Sequence, residues 1–178
     1  MKIEQIIVSD KSFKSKDPQE ILFSNSSVMN VLRTEGIGYE SIHPDALKSY
    51  FVDFYLTQLK KGGFAQYVFT SRWYPTLIKY LESGLEAIGA TKHLETFKER
   101  KAFIDQINED ELNGFLNSPP HLENPIKEKI NTVNILSIEE DLISLNSNWL
   151  KNHPDLKVVP HESMYFEIEK AIGKTPNF

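Results

Sequence analysis

The sequence feature that most constrains the fold is a pair of adjacent glycines, Gly62 and Gly63, inside a long helical pattern. After the pair, Phe64, Tyr67 and Val68 recur at positions i, i+3 and i+4, which is typical of a short helix with one buried face. Since glycine adopts positive φ without a Cβ clash, we expect Gly62 to end the first helix in the left-handed conformation. The sequence therefore predicts a corner that sets the angle between two helices.

Amphipathic patterns and capping signals predict helices along most of the chain. The predicted helices begin at or next to Asp17, Pro44, Trp73, Thr91, Asn108, Asn124, Ser137 and Glu162. Ser137, with Glu140 three residues later, has the pattern of a capping box. The last helix is predicted to turn Tyr165, Ile168 and Ile172 inward.

The segments between these helices are short. Residues 1–16 have the pattern of a brief strand or an apolar arm, residues 156–160 are predicted to be extended, and Pro119 and Pro120 predict a loop. No strand pattern of consequence appears elsewhere. We therefore predict an all-α fold, a single-domain bundle of about eight helices with short loops. It consists of an N-terminal arm over residues 1–16 and a domain over residues 17–178.

Composition and charge narrow the functional class. The chain has no cysteine, which excludes disulfides and thiolate chemistry, and it shows neither a signal peptide nor an apolar run long enough for a membrane span. We therefore expect a cytoplasmic protein without a membrane partner. The formal net charge is −5, and residues 102–178 alone carry −7. This acidic half argues against direct nucleic-acid binding and is compatible with a basic protein partner.

Motifs for catalysis, cofactors or metals are not apparent in the sequence. The histidines are His43, His93, His121, His153 and His161, and no two share a helix face. Three of them adjoin a proline, which favours loop or cap roles over catalysis. Gly36 and Gly38 begin like a dinucleotide-binding motif but follow a predicted helix. We therefore predict no catalytic residues, no cofactor and no metal.

Two acidic clusters are the candidate binding residues. They consist of Glu109, Asp110, Glu111, Glu139, Glu140 and Asp141. Each cluster falls in the first turn of a predicted helix, where carboxylates complement the helix dipole. The other interpretation is a row of carboxylates that a cationic partner recognises in place of phosphates.

Several stretches of the chain also carry a resemblance to a known family. They are residues 7–10 with Asp17 and Pro18, residues 39–41, residues 62–71, residues 88–90 and residues 145–154. The most specific stretch contains Gly62, Gly63, Phe64, Gln66, Tyr67, Phe69 and Ser71, and Trp149 lies in the last one. On these residues the chain resembles the bacterial DNA-mimic protein family, whose domain was formerly one of unknown function.

The resemblance implies an all-α fold and, for at least one member, dimerisation and binding of a helix-turn-helix repressor through an acidic, DNA-like surface. A role in transcription regulation and assembly as a homodimer are therefore expectations for this chain. The typical family pattern has asparagine where this sequence has Lys61 and Thr70. If those asparagines brace the corner, other residues must make the hydrogen bonds here.

Two alternatives to a DNA mimic follow from the same residues. The first is an immunity or inhibitor protein that neutralises a basic toxin or nuclease through its acidic surface. The second is a small-molecule enzyme with a cleft at the glycine corner, beside Phe64, Gln66, Tyr67 and Arg72. Packing of these side chains into the corner, or their binding along its surface, would argue against the enzyme.

Overall fold

The computed structural model describes residues 2–118 and 124–175, and within them the fold is an all-α bundle with one small sheet. The elements are β1 (Ile6–Ser9), α1 (Asp10–Lys14), α2 (Gln19–Thr34), α3 (Pro44–Ser71), α4 (Pro75–Ala87), α5 (Thr91–Ile104), α6 (Glu109–Asn117), α7 (Pro125–Ile130), α8 (Leu142–Lys151), β2 (Leu156–Val159) and α9 (Met164–Ile172). Short 3-10 turns cover Tyr39–Ser41, Ile135–Ser137 and His161–Ser163. The predicted fold class is confirmed. The predicted loop at Pro119 and Pro120, and His121, lie outside the described residues.

The chain forms two compact units. Unit 1 is built from the two ends of the chain, Met1–Asp53 and Asp141–Phe178, and unit 2 from Phe54–Glu140. The first part of α3 therefore belongs to unit 1 and its second part to unit 2. The predicted boundary between residues 16 and 17 stays a prediction.

Unit 1 is centred on β1, whose four residues are all buried. β1 pairs in parallel with β2, with Ile6 opposite Leu156, and α2 packs against both β1 and α8. Two fully buried asparagines connect its helices. The Asn25 side-chain amide donates to the carbonyl of Ala46 at 3.0 Å, and that of Asn146 donates to the carbonyl of Ser49 at 3.0 Å. Because a buried amide needs partners, these bonds fix the register of α2 and α8 on α3.

Unit 2 has its core between the second part of α3, α4 and α5. Leu81 and Leu85 of α4 and Phe97 of α5 are fully buried, as their helical spacing predicts. Gly89 follows α4 with φ of 74° and ends the helix, as predicted. Asn108 accepts a hydrogen bond from the N–H of Asp110 at 2.9 Å, so its predicted role at the start of α6 is confirmed.

Two predictions about local structure need correction. Ser137 lies in a 3-10 turn instead of capping a helix, and α8 begins five residues later with Asp141 as its cap. Tyr165 is 61% exposed, whereas Ile168 and Ile172 are buried as predicted. The chain also contains a genuine parallel strand pair, which the sequence indicated only as a brief strand and an extended segment. A strand of four residues is too short for alternation to reveal it.

Candidate functional site: the glycine corner and the acidic helix ends

The glycine corner is a sharp break within α3. Gly62 has φ of −170° and Gly63 has φ of 74° with ψ of −163°, and both fall outside helical geometry. The positive φ therefore belongs to Gly63, and the prediction that Gly62 takes the left-handed conformation is wrong. Gly63 occupies a region of backbone conformation that is accessible almost only to glycine. The corner itself, and the short helix after it, are confirmed.

Asn131 braces this corner from the end of α7. Its side-chain amide donates to the carbonyl of Gly62 at 3.0 Å, and its side-chain oxygen accepts from the N–H of Ala65 at 2.8 Å. The break in α3 leaves these two backbone groups without helical partners, and one side chain satisfies both. Asn131 thus supplies an asparagine brace to a corner that has Lys61 before its glycines. The sequence gives no local sign of this brace, because the residues that Asn131 binds lie 66 and 69 positions away.

Aromatic side chains fill the inner side of the corner. Phe64 and Tyr67 are each 1% exposed, with ring centroids 5.8 Å apart, and Phe97 meets Phe64 edge-on at 6.2 Å. Burial raises the pKa of the Tyr67 phenol, so this group stays neutral. Gln66 donates along the same helix to the Thr70 hydroxyl at 2.8 Å. Of the residues proposed for an enzymatic cleft, Phe64 and Tyr67 thus pack into the corner. Gln66 and Arg72 instead form hydrogen bonds along the surface.

The segment after the corner is held by side chain to backbone contacts. Ser71 is fully buried, and its hydroxyl donates to the carbonyl of Val68 and accepts from the N–H of Trp73. Arg72 and Trp73 both have positive φ, 54° and 53°. The Arg72 guanidinium donates to the carbonyl of Leu116, which ties this segment to the end of α6.

Two further contacts support the same segment. The ring of Phe69 meets Phe115 of α6 edge-on at 6.0 Å. The indole N–H of Trp73 donates to the carboxylate of Asp105 at 3.4 Å. The signature residues of unit 2 thus join the second part of α3 to α5 and α6. Trp149, the signature residue of unit 1, is partly exposed and packs edge-on against His153 at 5.1 Å.

A groove of about 510 Å³ lies between α4 and α5, beside Trp73. Its lining carries both positive and negative side chains. The ammonium of Lys101 lies 2.9 Å from the carboxylate of Asp105, and the carboxylate of Glu82 lies 3.9 Å from the ammonium of Lys98. These carboxylates are therefore already paired within the groove wall. Among residues 2–118 and 124–175, no group of three or more histidine, aspartate or glutamate side chains is placed to hold a metal ion.

The acidic residues of α6 are exposed. Glu109, Asp110 and Glu111 form its first turn, and Glu139 is exposed in the segment before α8. Within the described residues, none of these four carboxylates is engaged in a side-chain hydrogen bond or an ion pair. The charge of the first three is favourable to the helix dipole, and it remains accessible from solvent.

Glu140 has a different role, since it caps a helix from outside. Its carboxylate accepts from the backbone N–H groups of Lys92 and His93, each at 2.9 Å, and from the Thr91 hydroxyl. Ala90, the residue before α5, cannot cap it with a side chain. Burial raises the pKa of the Glu140 carboxyl, but these hydrogen bonds outweigh burial and hold the pKa below its ordinary value.

Asp141 is likewise engaged with a helix end. Its side chain accepts from the N–H groups of Ile143 and Ser144, both at 3.1 Å, and from the Ser144 hydroxyl at 2.6 Å. The first-turn position is therefore confirmed for Glu109, Asp110 and Glu111 and wrong for the second cluster, because α8 begins only at Leu142. Glu140 and Asp141 instead cap α5 and α8. This leaves Glu109, Asp110, Glu111 and Glu139 as the carboxylates available to a partner.

Comparison with known families decides the classification. The model of the family described as DMP19-like protein matches residues 40–153, which include the glycine corner, Asn131 and both acidic clusters. The chain belongs to the DMP19-like family. This is a family of DNA-mimic proteins, so the resemblance found in the sequence is confirmed. Comparison with curated proteins gave no match, and comparison with solved structures gave none either.

The family match covers one whole unit of the structure and part of the other. The matched segment begins shortly before α3 and ends just after α8, so it spans all of unit 2 and part of unit 1. In this DMP19-like chain no helix of the described residues is both long and apolar enough to cross a bilayer.

Proposed function

We propose that the protein is a non-enzymatic interaction protein that acts as a DNA mimic and presents Glu109, Asp110, Glu111 and Glu139 to a basic DNA-binding protein. Family membership is the observation that carries this proposal, since the DMP19-like family is one of DNA mimics. The proposed partner is a transcription regulator, and the proposed compartment is the cytoplasm.

The state of the carboxylates supports the proposed surface. A DNA-binding protein recognises phosphates through charge-assisted hydrogen bonds from arginine and lysine. Exposed carboxylates that are not already paired within the protein can accept the same bonds without breaking internal ones. Glu109, Asp110, Glu111 and Glu139 meet this condition. Glu140 and Asp141 do not, because they would have to leave helix ends that they cap.

The packing at the corner supports a non-enzymatic role. Enzyme sites gather polar groups around a concave pocket. At the corner, Phe64 and Tyr67 are buried against each other, and Arg72 is used to hold α6. Arg72 holds α6 at Leu116, at the end opposite its acidic first turn, and so anchors the helix that carries most of the proposed surface.

A matched pair of variants tests the proposal. The acidic variant combines Glu109→Gln, Asp110→Asn and Glu111→Gln, and the control combines Glu86→Gln, Glu95→Gln and Glu99→Gln, which make the same charge change elsewhere in unit 2. Partners are captured from a bacterial lysate at low salt, and the association rate of the recovered protein is then measured against salt. We expect a basic DNA-binding protein whose association slows steeply with salt and falls about tenfold or more in the acidic variant only.

Two outcomes would contradict the proposal. Capture of neutral or acidic partners alone would remove its electrostatic basis. Equal losses in the acidic and control variants would show that net charge matters and the end of α6 does not. Circular dichroism of each variant checks that α6 still forms, because each lost first-turn carboxylate costs the helix about 0.3–1 kcal/mol.

The inhibitor alternative uses the same carboxylates against a different partner. Recovery of a basic nuclease or toxin in place of a transcription regulator, with inhibition of its activity, would favour it. Assembly as a homodimer is a separate proposal. It is supported by Phe23, Tyr165 and Phe166 of unit 1, which are 51%, 61% and 64% exposed. A monomer in light scattering at micromolar concentration would contradict it.

A further inference from the structure

Unit 1 contains the same tripeptide twice, at the start of α3 and after the end of α8. The two copies are His43-Pro44-Asp45 and His153-Pro154-Asp155. They lie more than a hundred residues apart in the sequence, yet the two imidazole rings meet edge-on with centroids 5.6 Å apart. Neither motif is used by the proposed function.

Each copy forms the same local turn. The N–H of Asp45 donates to Nδ1 of His43 at 3.2 Å, and the N–H of Asp155 donates to Nδ1 of His153 at 3.1 Å. The proline between them has no N–H and a fixed φ, which suits a turn of this kind. A ring nitrogen that accepts a hydrogen bond carries no proton, so the proton of each neutral ring lies on Nε2.

The two copies are then joined reciprocally. Nε2 of His153 lies 2.9 Å from the carboxylate of Asp45, and Nε2 of His43 lies 3.4 Å from the carboxylate of Asp155. The contacts form a closed circuit: each aspartate N–H donates to its own histidine, and each histidine faces the aspartate of the other motif. The side chains of His43 and His153 are only 11% and 8% exposed.

We propose that this circuit is a latch that holds the end of α8, and the entry to β2, against the start of α3, and that its two halves open together. Polar contacts in a closed network reinforce one another where they are shielded from water, as the two rings are, so the loss of one contact leaves the others less well oriented. Lys48 extends the network, since its ammonium lies 2.8 Å from the second oxygen of Asp45. Because both nitrogens of both rings are engaged, neither histidine is free to act as a general base.

The tautomers give a direct test on the unaltered protein. Long-range ¹H–¹⁵N correlation at neutral pH distinguishes a protonated ring nitrogen from an unprotonated one. We expect His43 and His153 to be fixed with the proton on Nε2, assigned by comparison with single histidine variants. A proton on Nδ1 of either ring, or a rapidly averaged mixture, would overturn the proposal.

Paired substitutions then test whether the halves are coupled. Asparagine keeps an acceptor close to the position of Nδ1 but removes Nε2, whereas glutamine does the reverse. Amide hydrogen exchange at Asp45 and Asp155 is the measurement. For His43→Gln we expect exchange at Asp45 to rise about fivefold, the worth of one net hydrogen bond, and exchange at Asp155 to rise as well.

His43→Asn should preserve the turn at Asp45 and still raise exchange at Asp155, since it removes only the contact across the latch. His161→Gln is the control, because His161 is an exposed histidine of unit 1 outside the circuit. It should change neither amide. An effect of the His43 variants confined to Asp45 would show two independent turns and would refute the latch.

Discussion

Replacing Gly63 by alanine tests the physical account of the corner. Gly63 has φ of 74° and ψ of −163°, a conformation that costs other residues about 1–3 kcal/mol. A Cβ at this position would lie 2.7 Å from the side-chain oxygen of Asn131, so the brace must move. Its two hydrogen bonds are worth about 0.5–1.5 kcal/mol each. We therefore expect Gly63→Ala to lower the free energy of unfolding by about 4 kcal/mol, within a range of about 2–6.

Urea unfolding followed by circular dichroism measures this loss, with the denaturant slope checked for constancy. Gly89→Ala is the matched control. Gly89 also has φ of 74°, but no atom lies within 4 Å of the position of its Cβ. Only the conformational cost applies there, about 1–2 kcal/mol.

Asn131→Ala separates the lost brace from the backbone strain. Asn131→Ala alone should lower the free energy of unfolding by about 1–3 kcal/mol, because it removes two hydrogen bonds. The double variant with Gly63→Ala should lose less unfolding free energy than the sum of the two single variants. The reason is that the Cβ introduced at position 63 no longer meets the Asn131 side chain. Strict additivity, or a cost for Gly63→Ala no greater than that for Gly89→Ala, would refute the reasoning.

Three further predictions concern helix ends and caps. Glu140→Gln should cost about 0.5–2 kcal/mol in urea unfolding, and Glu139→Gln almost nothing. The pKa of Glu140 in the folded protein lies below the ordinary 4.5, so the stability that its ionised carboxylate contributes is present above that pH and is lost as the pH falls through the lowered value. The free energy of unfolding, measured across this window, should therefore fall less in the Glu140→Gln variant than in the unaltered protein. Gly114→Ala should stabilise the protein by about 0.5–1 kcal/mol in thermal unfolding, since it lies within α6 with no atom near the new Cβ; a loss would contradict this. Arg100→Lys should cost about 1–2 kcal/mol, because a lysine loses the hydrogen bond from Nη1 to the Thr132 hydroxyl and the planar guanidinium over the Phe103 ring; an unchanged midpoint would contradict this.

Local signals in the sequence predicted the elements that depend on neighbouring residues. The cap at Asn108, the stop at Gly89 and the buried face of the helix after the corner each depend on residues within a few positions, and each is confirmed. The assignment of positive φ to the wrong glycine is a local error of one position. Both positions are glycine, and glycine adopts positive φ readily, so the sequence does not distinguish Gly62 from Gly63 in this respect.

The non-local parts of the site could not be predicted in this way. The brace by Asn131 and the cap that Glu140 supplies to α5 join residues far apart in sequence, and no spacing rule encodes them. The capping box at Ser137 failed because Asp141, four residues on, caps α8 instead. One signal did exist: the resemblance places an asparagine at the position of Lys61, and if that asparagine braces the corner, another residue must do so in this chain.

The parallel pairing of β1 and β2 has a consequence for how the protein is made. Ile6 is synthesised before unit 2, but its strand partner, Leu156, is synthesised only after all of unit 2. The hydrogen-bonding edge of β1 therefore stays without its partner strand while the middle of the chain is synthesised, although α2 is already available to pack against β1. A nascent chain that stops before residue 156 would have a complete central unit and an unpaired, apolar first strand, which is a template for aggregation.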